Sequence, residues 1–152
     1  MTNDDNIIDS CSIINRLDEL QDELESHWEG IKEWDEENLK EFESLDPFEE
    51  RSIVLREERN ELQEALSSWL EDNEDELKAL AALDSEGRRE FDGWRYGITL
   101  IRESYFVEYC EETYGDEWKL PDFVVVDWDK TADNIRSGYI EIEFDGVTYL
   151  SQ

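Results

Sequence analysis

The sequence predicts an α+β protein: a long N-terminal antiparallel helical hairpin, coiled-coil-like in its spacing, then a small α+β module that ends in a β-hairpin. Three observations predict it. Between Ile13 and Leu83 apolar residues recur at steps of three and four, the spacing of one helix face. After Gly87 the composition shifts toward aromatic and β-branched residues. Near the end Asp145-Gly146 separates two short strand-like runs, a strong hairpin signal. The domains follow: an acidic helical hairpin over residues 1–86 and the module over 87–152.

Residues 1–6 read as a frayed, polar start. Asp9 or Ser10 can cap a first helix through a side-chain oxygen, and that helix runs from about Ser12 to about Leu45. Ile13, Leu17, Leu20, Leu24, Trp28 and Ile31 line one side, with Asp18, Glu19, Asp22, Glu23, Glu25 and Glu29 between them. About 33 residues span about 50 Å. Gly30 costs this helix about 1 kcal/mol relative to Ala and admits a bend.

Asp46-Pro47 breaks the helical pattern. Asp46 suits an N-cap, Pro47 the first helical position and Glu49 the return leg of a capping box. A second helix then carries Leu55, Leu62, Leu66, Trp69, Leu77, Leu80 and Leu83 on its stripe and ends near Leu83. Its weakest section is residues 71–76, five acids around Asn73, where like charges oppose the helix. Asp84 to Gly87 closes the helical half. The short connection favours antiparallel pairing within the chain. Apolar Phe42 and Val54 fit pairing between two chains equally well, so a homodimer stands beside it.

In the module, Phe91, Trp94, Tyr96 and Ile98 to Ile101 form an irregular or extended lead-in. A helix around Glu103 to Thr113 turns Tyr105, Phe106, Tyr109 and Cys110 inward and ends at Gly115. Phe123 to Val126 reads as a short strand or extended segment. Asp127 caps a helix from Trp128 to about Arg136, with Gly138 at its end. Tyr139 to Phe144 alternates, Ile140, Ile142 and Phe144 facing one way and Glu141 and Glu143 the other. Val147 to Leu150 is the return strand.

The chain has 152 residues, 38% of them hydrophobic and including six Trp, enough for a core and against simple disorder. Asp and Glu number 44 against 14 Lys and Arg, a net charge of -30. Residues 1–90 carry 30 acids and 9 bases, and residues 91–152 carry 14 and 5, so the acid coats both parts. Such a surface repels nucleic acid and anionic membranes and favours basic partners. Cys11 and Cys110 sit far apart in unlike contexts, which suits a reducing compartment. The N-terminus lacks the basic and apolar regions of a signal peptide, and no apolar run approaches the roughly 20 residues of a membrane span. A soluble, cytoplasmic protein is expected, without membrane association.

Catalytic signals are sparse. His27 is the single histidine and reads as an ordinary helix residue rather than a base. It has no second His to support a Ser or Cys nucleophile, and no glycine-rich phosphate or dinucleotide loop is present. Asp127-Trp128-Asp129 starts like a calcium loop but lacks the glycine five residues on. No cofactor, no dedicated metal site and no enzymatic activity are expected. Trp28, Trp34, Trp69, Trp94, Trp118 and Trp128 read as core and sealing residues, because base stacking needs a basic groove beside it. Direct nucleic-acid binding is not expected.

What remains is the charge. Duplex DNA carries one negative charge per about 1.7 Å of axis, so 30 charges correspond to about 50 Å, close to the length of the first helix. The outward carboxylates Asp18, Asp22, Glu25, Glu29, Glu33 and Glu36 are the candidates to stand in for phosphates. Glu108, Glu111, Glu112, Asp116 and Glu117 are candidates to continue that track. The competing reading is a coiled-coil structural or adaptor protein whose acid only keeps it in solution. A third, an enzyme using clustered carboxylates and a divalent metal, predicts activity lost to a chelator.

Three segments carry a resemblance: Tyr96-Gly97-Ile98-Thr99-Leu100-Ile101-Arg102-Glu103-Ser104-Tyr105-Phe106, Asp127-Trp128-Asp129-Lys130-Thr131-Ala132, and Phe144-Asp145-Gly146-Val147-Thr148-Tyr149. With the opening Ile8-Asp9-Ser10, Ile13-Ile14 and Leu17, they resemble a set of acidic bacteriophage proteins. The C-terminal half more distantly resembles the last domain of ArdA-type antirestriction proteins. The resemblance covers roughly residues 96–149. It implies an acidic, commonly dimeric DNA mimic that blocks the DNA-binding groove of host type I restriction-modification enzymes. The ArdA type has further α/β domains where this chain has its helical hairpin. A CRISPR effector or another nucleic-acid-binding defence protein therefore fits as target equally well.

Overall fold

The computed structural model describes residues 1–152. In chain order the elements are β1 (Ile7–Asp9), α1 (Ser10–Ser44), α2 (Glu50–Glu90), β2 (Thr99–Arg102), α3 (Phe106–Tyr114), α4 (Trp128–Arg136), β3 (Ile140–Phe144) and β4 (Val147–Ser151). Two 3₁₀ turns, Trp94–Tyr96 and Glu103–Tyr105, flank β2. The fold is α+β, as the periodicities require. No helix is long and apolar enough to cross a membrane.

The chain forms two compact units, Leu17–Leu77 and a second made of Met1–Arg16 with Lys78–Gln152. The boundary drawn at 86/87 falls inside α2, which continues to Glu90.

In the first unit α1 and α2 run antiparallel. Glu41 meets Arg51, Asp35 meets Arg59 and Glu23 meets Trp69, the second partner rising as the first falls. Leu17, Leu20, Ile31, Trp34, Leu55 and Leu66 are buried along the stripe. The helices pair within one chain, as a short connection favours. At the turn, Asp46 Oδ1 accepts from the Phe48 amide at 2.9 Å and Asp46 O from the Glu49 amide at 3.0 Å. Pro47 therefore lies in this turn rather than at the first helical position, and α2 starts three residues later, at Glu50. The acid-rich run 71–76 stays helical, with Asn73 Nδ2 donating back to Trp69 O at 2.9 Å.

The second unit is built on an antiparallel sheet of order β1-β2-β4-β3. Ile101 and Leu150 point to one face, where they join Phe106 and Cys110 of α3 and Ala132 of α4 in a buried cluster. Leu100, Ile142, Phe144 and Tyr149 point to the other face and are buried as well. Asp127 caps α4, its side chain accepting from the Lys130 amide. At the β3–β4 turn Asp145 and Gly146 take φ of 47° and 78°, the left-handed pair that a two-residue hairpin needs.

Three local expectations are corrected. The N-terminus is tied down rather than frayed. Asn6 O accepts from the Arg102 amide at 2.8 Å, and Tyr149 Oη is shared between the carbonyls of Asn3 (3.0 Å) and Asp5 (2.8 Å). Residues 84–87 do not close the helical half. Gly87 sits inside α2 because the Trp94 indole packs on it where any Cβ would collide, and Asp84 Oδ1 accepts from Trp94 Nε1 at 2.7 Å. Phe123 to Val126, expected as a short strand or an extended segment, is not a strand. It has β-branched residues but no strand beside it, and it lies exposed, Phe123 at 85% and Val125 at 91%.

Ser10 shows why the start of α1 is so well fixed. Asp9 Oδ1 takes the capping role, accepting from the Cys11 amide at 2.8 Å. Ser10 is fully buried, and its hydroxyl donates to Trp94 O at 2.7 Å while accepting from the Ile98 amide at 2.6 Å.

Candidate partner-binding surface

Asp18, Asp22, Glu25, Glu29, Glu33 and Glu36 step by four, three, four, four and three along α1. At about 100° per residue they fall within a band about 80° wide, nearly opposite the buried stripe. All six are exposed. Glu36 has Lys32 Nζ at 4.0 Å, and no ion pair forms at the other five. The helix thus holds a row of carboxylates at about 4.5–6 Å of axial rise per step.

The seam between the helices explains why the row stays free. Arg51 and Arg59 are drawn inward to Glu41 and Asp35. Arg59 Cζ also lies 5.9 Å from the centroid of the Trp34 ring, a cation–π contact. The Arg59 hydrogen bond, aided by its charge and opposed by burial, holds the Asp35 carboxyl below its ordinary range. Trp34 Nε1 reaches Glu58 at 3.4 Å and Trp69 Nε1 reaches Glu23 at 2.8 Å, so carboxylates near the seam serve as acceptors. Residues 17–77 carry 24 acids and 5 bases, net -19 of the chain's -30. About 28 residues of each helix lie in this unit, roughly 42 Å, or about 2.2 Å per net charge, against about 1.7 Å per charge in duplex DNA.

The other five candidates lie in the second unit, on α3 and in the loop after it. Glu108, Glu111, Glu112, Asp116 and Glu117 are all exposed. Glu112 is partly occupied, since Tyr105 Oη donates to its Oε2 at 2.6 Å. This hydrogen bond is the first cause holding the Tyr105 hydroxyl above its ordinary value.

Of the six tryptophans assigned to the core, only Trp34 and Trp94 are buried. Trp118 is stacked between Tyr114 and Trp128, at 5.9 and 5.5 Å between centroids, and remains 40% exposed. Trp28 is 55% exposed although it lies on the apolar stripe. The opposing positions on α2, Gln63 and Ser67, are polar, and that was the sequence signal for its exposure. His27 lies beside Trp69, ring centroids 6.1 Å apart. No three His, Cys, Asp or Glu side chains converge in a way that could hold a metal ion.

No family model, curated protein or solved structure matches the chain.

Proposed function

We propose that the protein is an acidic DNA mimic that inhibits a host nucleic-acid-binding defence protein by occupying its basic DNA-binding groove. The observation that carries this reading is the row Asp18, Asp22, Glu25, Glu29, Glu33 and Glu36, exposed on one face while Arg51 and Arg59 turn to the seam. A folded surface with this much uncompensated charge repels itself, a cost that solubility alone does not require. A basic groove relieves that repulsion and releases counterions, as it does on binding DNA. The resemblance of residues 96–149 to acidic bacteriophage proteins, and more distantly to the last domain of ArdA-type antirestriction proteins, adds to the reading and suggests a restriction-modification enzyme or CRISPR effector, met in the bacterial cytoplasm. Glu108, Glu111, Asp116 and Glu117 would give the second unit a surface of the same sign.

Exposed Phe48, Ile53 and Val54 favour a second reading, a coiled-coil adaptor of a phage or mobile element that assembles through apolar contacts. A pull-down from host lysate separates the two. Under mimicry the captured protein binds DNA, and added duplex DNA elutes it. An adaptor's partner stays bound in duplex DNA and in high salt.

A further inference from the structure

A groove of about 710 Å³ opens on one flank of the Leu17–Leu77 hairpin. Ile31 and Leu66, both buried, form its floor with Leu39, and Trp28 and Gln63 stand on opposite walls. Glu36, at the C-terminal end of the acidic row, also lines it. Its volume is in the range of clefts that bury a drug-sized ligand, about 300–1,000 Å³, ample for a bulky apolar side chain.

Trp28 marks this groove as a contact surface. Trp34, Trp69 and Trp94 each donate their indole N–H to a carboxylate. Trp28 Nε1 has no such acceptor within the protein, and half of the side chain is open to water. An exposed aromatic with a free donor, above an apolar floor, is the composition of an interface anchor.

We infer that the groove seats an apolar side chain from a basic amphipathic helix of the partner protein, while neighbouring carboxylates of the acidic row hold its Lys and Arg. This rests on the reading of the hairpin as a mimic that meets a basic protein surface. Charge complementarity selects this occupant. The groove's own charged lining is balanced, Lys32 against Glu36 and Arg59 against Asp35, but the unit around it has net charge -19, and a second copy would bring the same sign against it. DNA offers no apolar recess of this kind beside its phosphates. The groove thus gives the hairpin a means of preferring one basic protein over the many that bind DNA.

The test uses the full-length chain and two synthetic helical peptides of equal positive charge. One has Lys on one face and Leu on the other; the second has Ser in place of Leu. Calorimetry at about 0.15 M salt compares the parent, Trp28→Gln, Gln63→Trp, and the combined variant Asp22→Asn, Glu25→Gln, Glu29→Gln, Glu33→Gln. Gln63→Trp fills the groove without removing a core contact, so it stands if Trp28→Gln perturbs folding. The parent is expected to bind the Leu peptide at least about tenfold more tightly than the Ser peptide. Each groove variant should erase that preference, and the combined variant should weaken both peptides. If the parent binds the peptides alike, or the preference survives both groove variants, the groove is not the anchor, while weakening by the combined variant leaves mimicry standing. If the combined variant binds both peptides as tightly as the parent, the mimicry reading falls and the inference with it. A parent dimer that Trp28→Gln splits would make a second copy the occupant and overturn the assignment.

Discussion

Arg59 and Asp35 meet across the hairpin as a two-pronged pair, Nε to Oδ1 at 2.9 Å and Nη2 to Oδ2 at 3.3 Å. With Arg51–Glu41 it holds two of the three arginines of a very acidic unit at its seam, away from the carboxylates on the outer face of α1. The same pair makes stability depend on pH. Asp35 has a lowered carboxyl pKa in the folded state, so its contribution is complete above the ordinary carboxylate value near pH 4 and is lost as the pH falls through the lowered value. Asp35→Asn should cost about 1 kcal/mol or less at pH 7 and less than that at about pH 3. Urea unfolding of both proteins at the two pH values checks this.

Self-repulsion should be visible in the parent protein. Raising salt from about 0.01 M to 1 M shortens the Debye length from about 30 Å to about 3 Å and should raise Tm. Replacing Asp18, Asp22, Glu25 and Glu29 by their amides should raise Tm at low salt and reduce the salt effect. Thermal scans across a salt series measure both. A Tm indifferent to salt would mean that the acid costs the fold nothing.

Two glycines in helices should respond to alanine in opposite directions. Gly30 in α1 has open space where a Cβ would stand, so Gly30→Ala should stabilise by about 0.5–1 kcal/mol. In α2 a Cβ on Gly87 would run into the Trp94 ring. Gly87→Ala should therefore destabilise by about 1–3 kcal/mol through overpacking. Chemical denaturation of the two variants against the parent decides it.

Ser10→Ala would remove the hydroxyl that links Trp94 O and the Ile98 amide. Leaving those two groups without this partner should cost about 1–3 kcal/mol, visible in urea unfolding. Amide exchange at Ile98 should accelerate by more than the loss of global stability explains.

Local signals carried most of the fold in the sequence. The Asp127 cap, the Asp145-Gly146 turn and the apolar stripes were legible because each depends on residues within a few positions. What was misread depends on distant partners. Gly87 looks like a helix stop, yet its reason lies in Trp94, outside α2. Ile7 to Asp9 is too short to signal a strand without β2 beside it, and Phe123 to Val126 has strand chemistry with nothing to pair with. In the candidate site, the exposure of the acidic row followed from helical periodicity alone. The Trp28 groove did not, because it depends on Gln63 and Ser67 arriving opposite from the other helix.

The central claim is that the carboxylates on the outer face of α1 bind the partner as phosphates would. Its most direct test is the affinity of the captured host protein, over a series of salt concentrations, for the parent and for a variant with Asp18, Asp22, Glu25, Glu29, Glu33 and Glu36 all replaced by their amides. The parent should lose affinity steeply as salt rises and should compete with duplex DNA. The variant should bind far more weakly, with a log–log salt slope shallower by up to about 1 for each carboxylate in contact. A variant that binds as tightly as the parent, with the same slope, would contradict the claim.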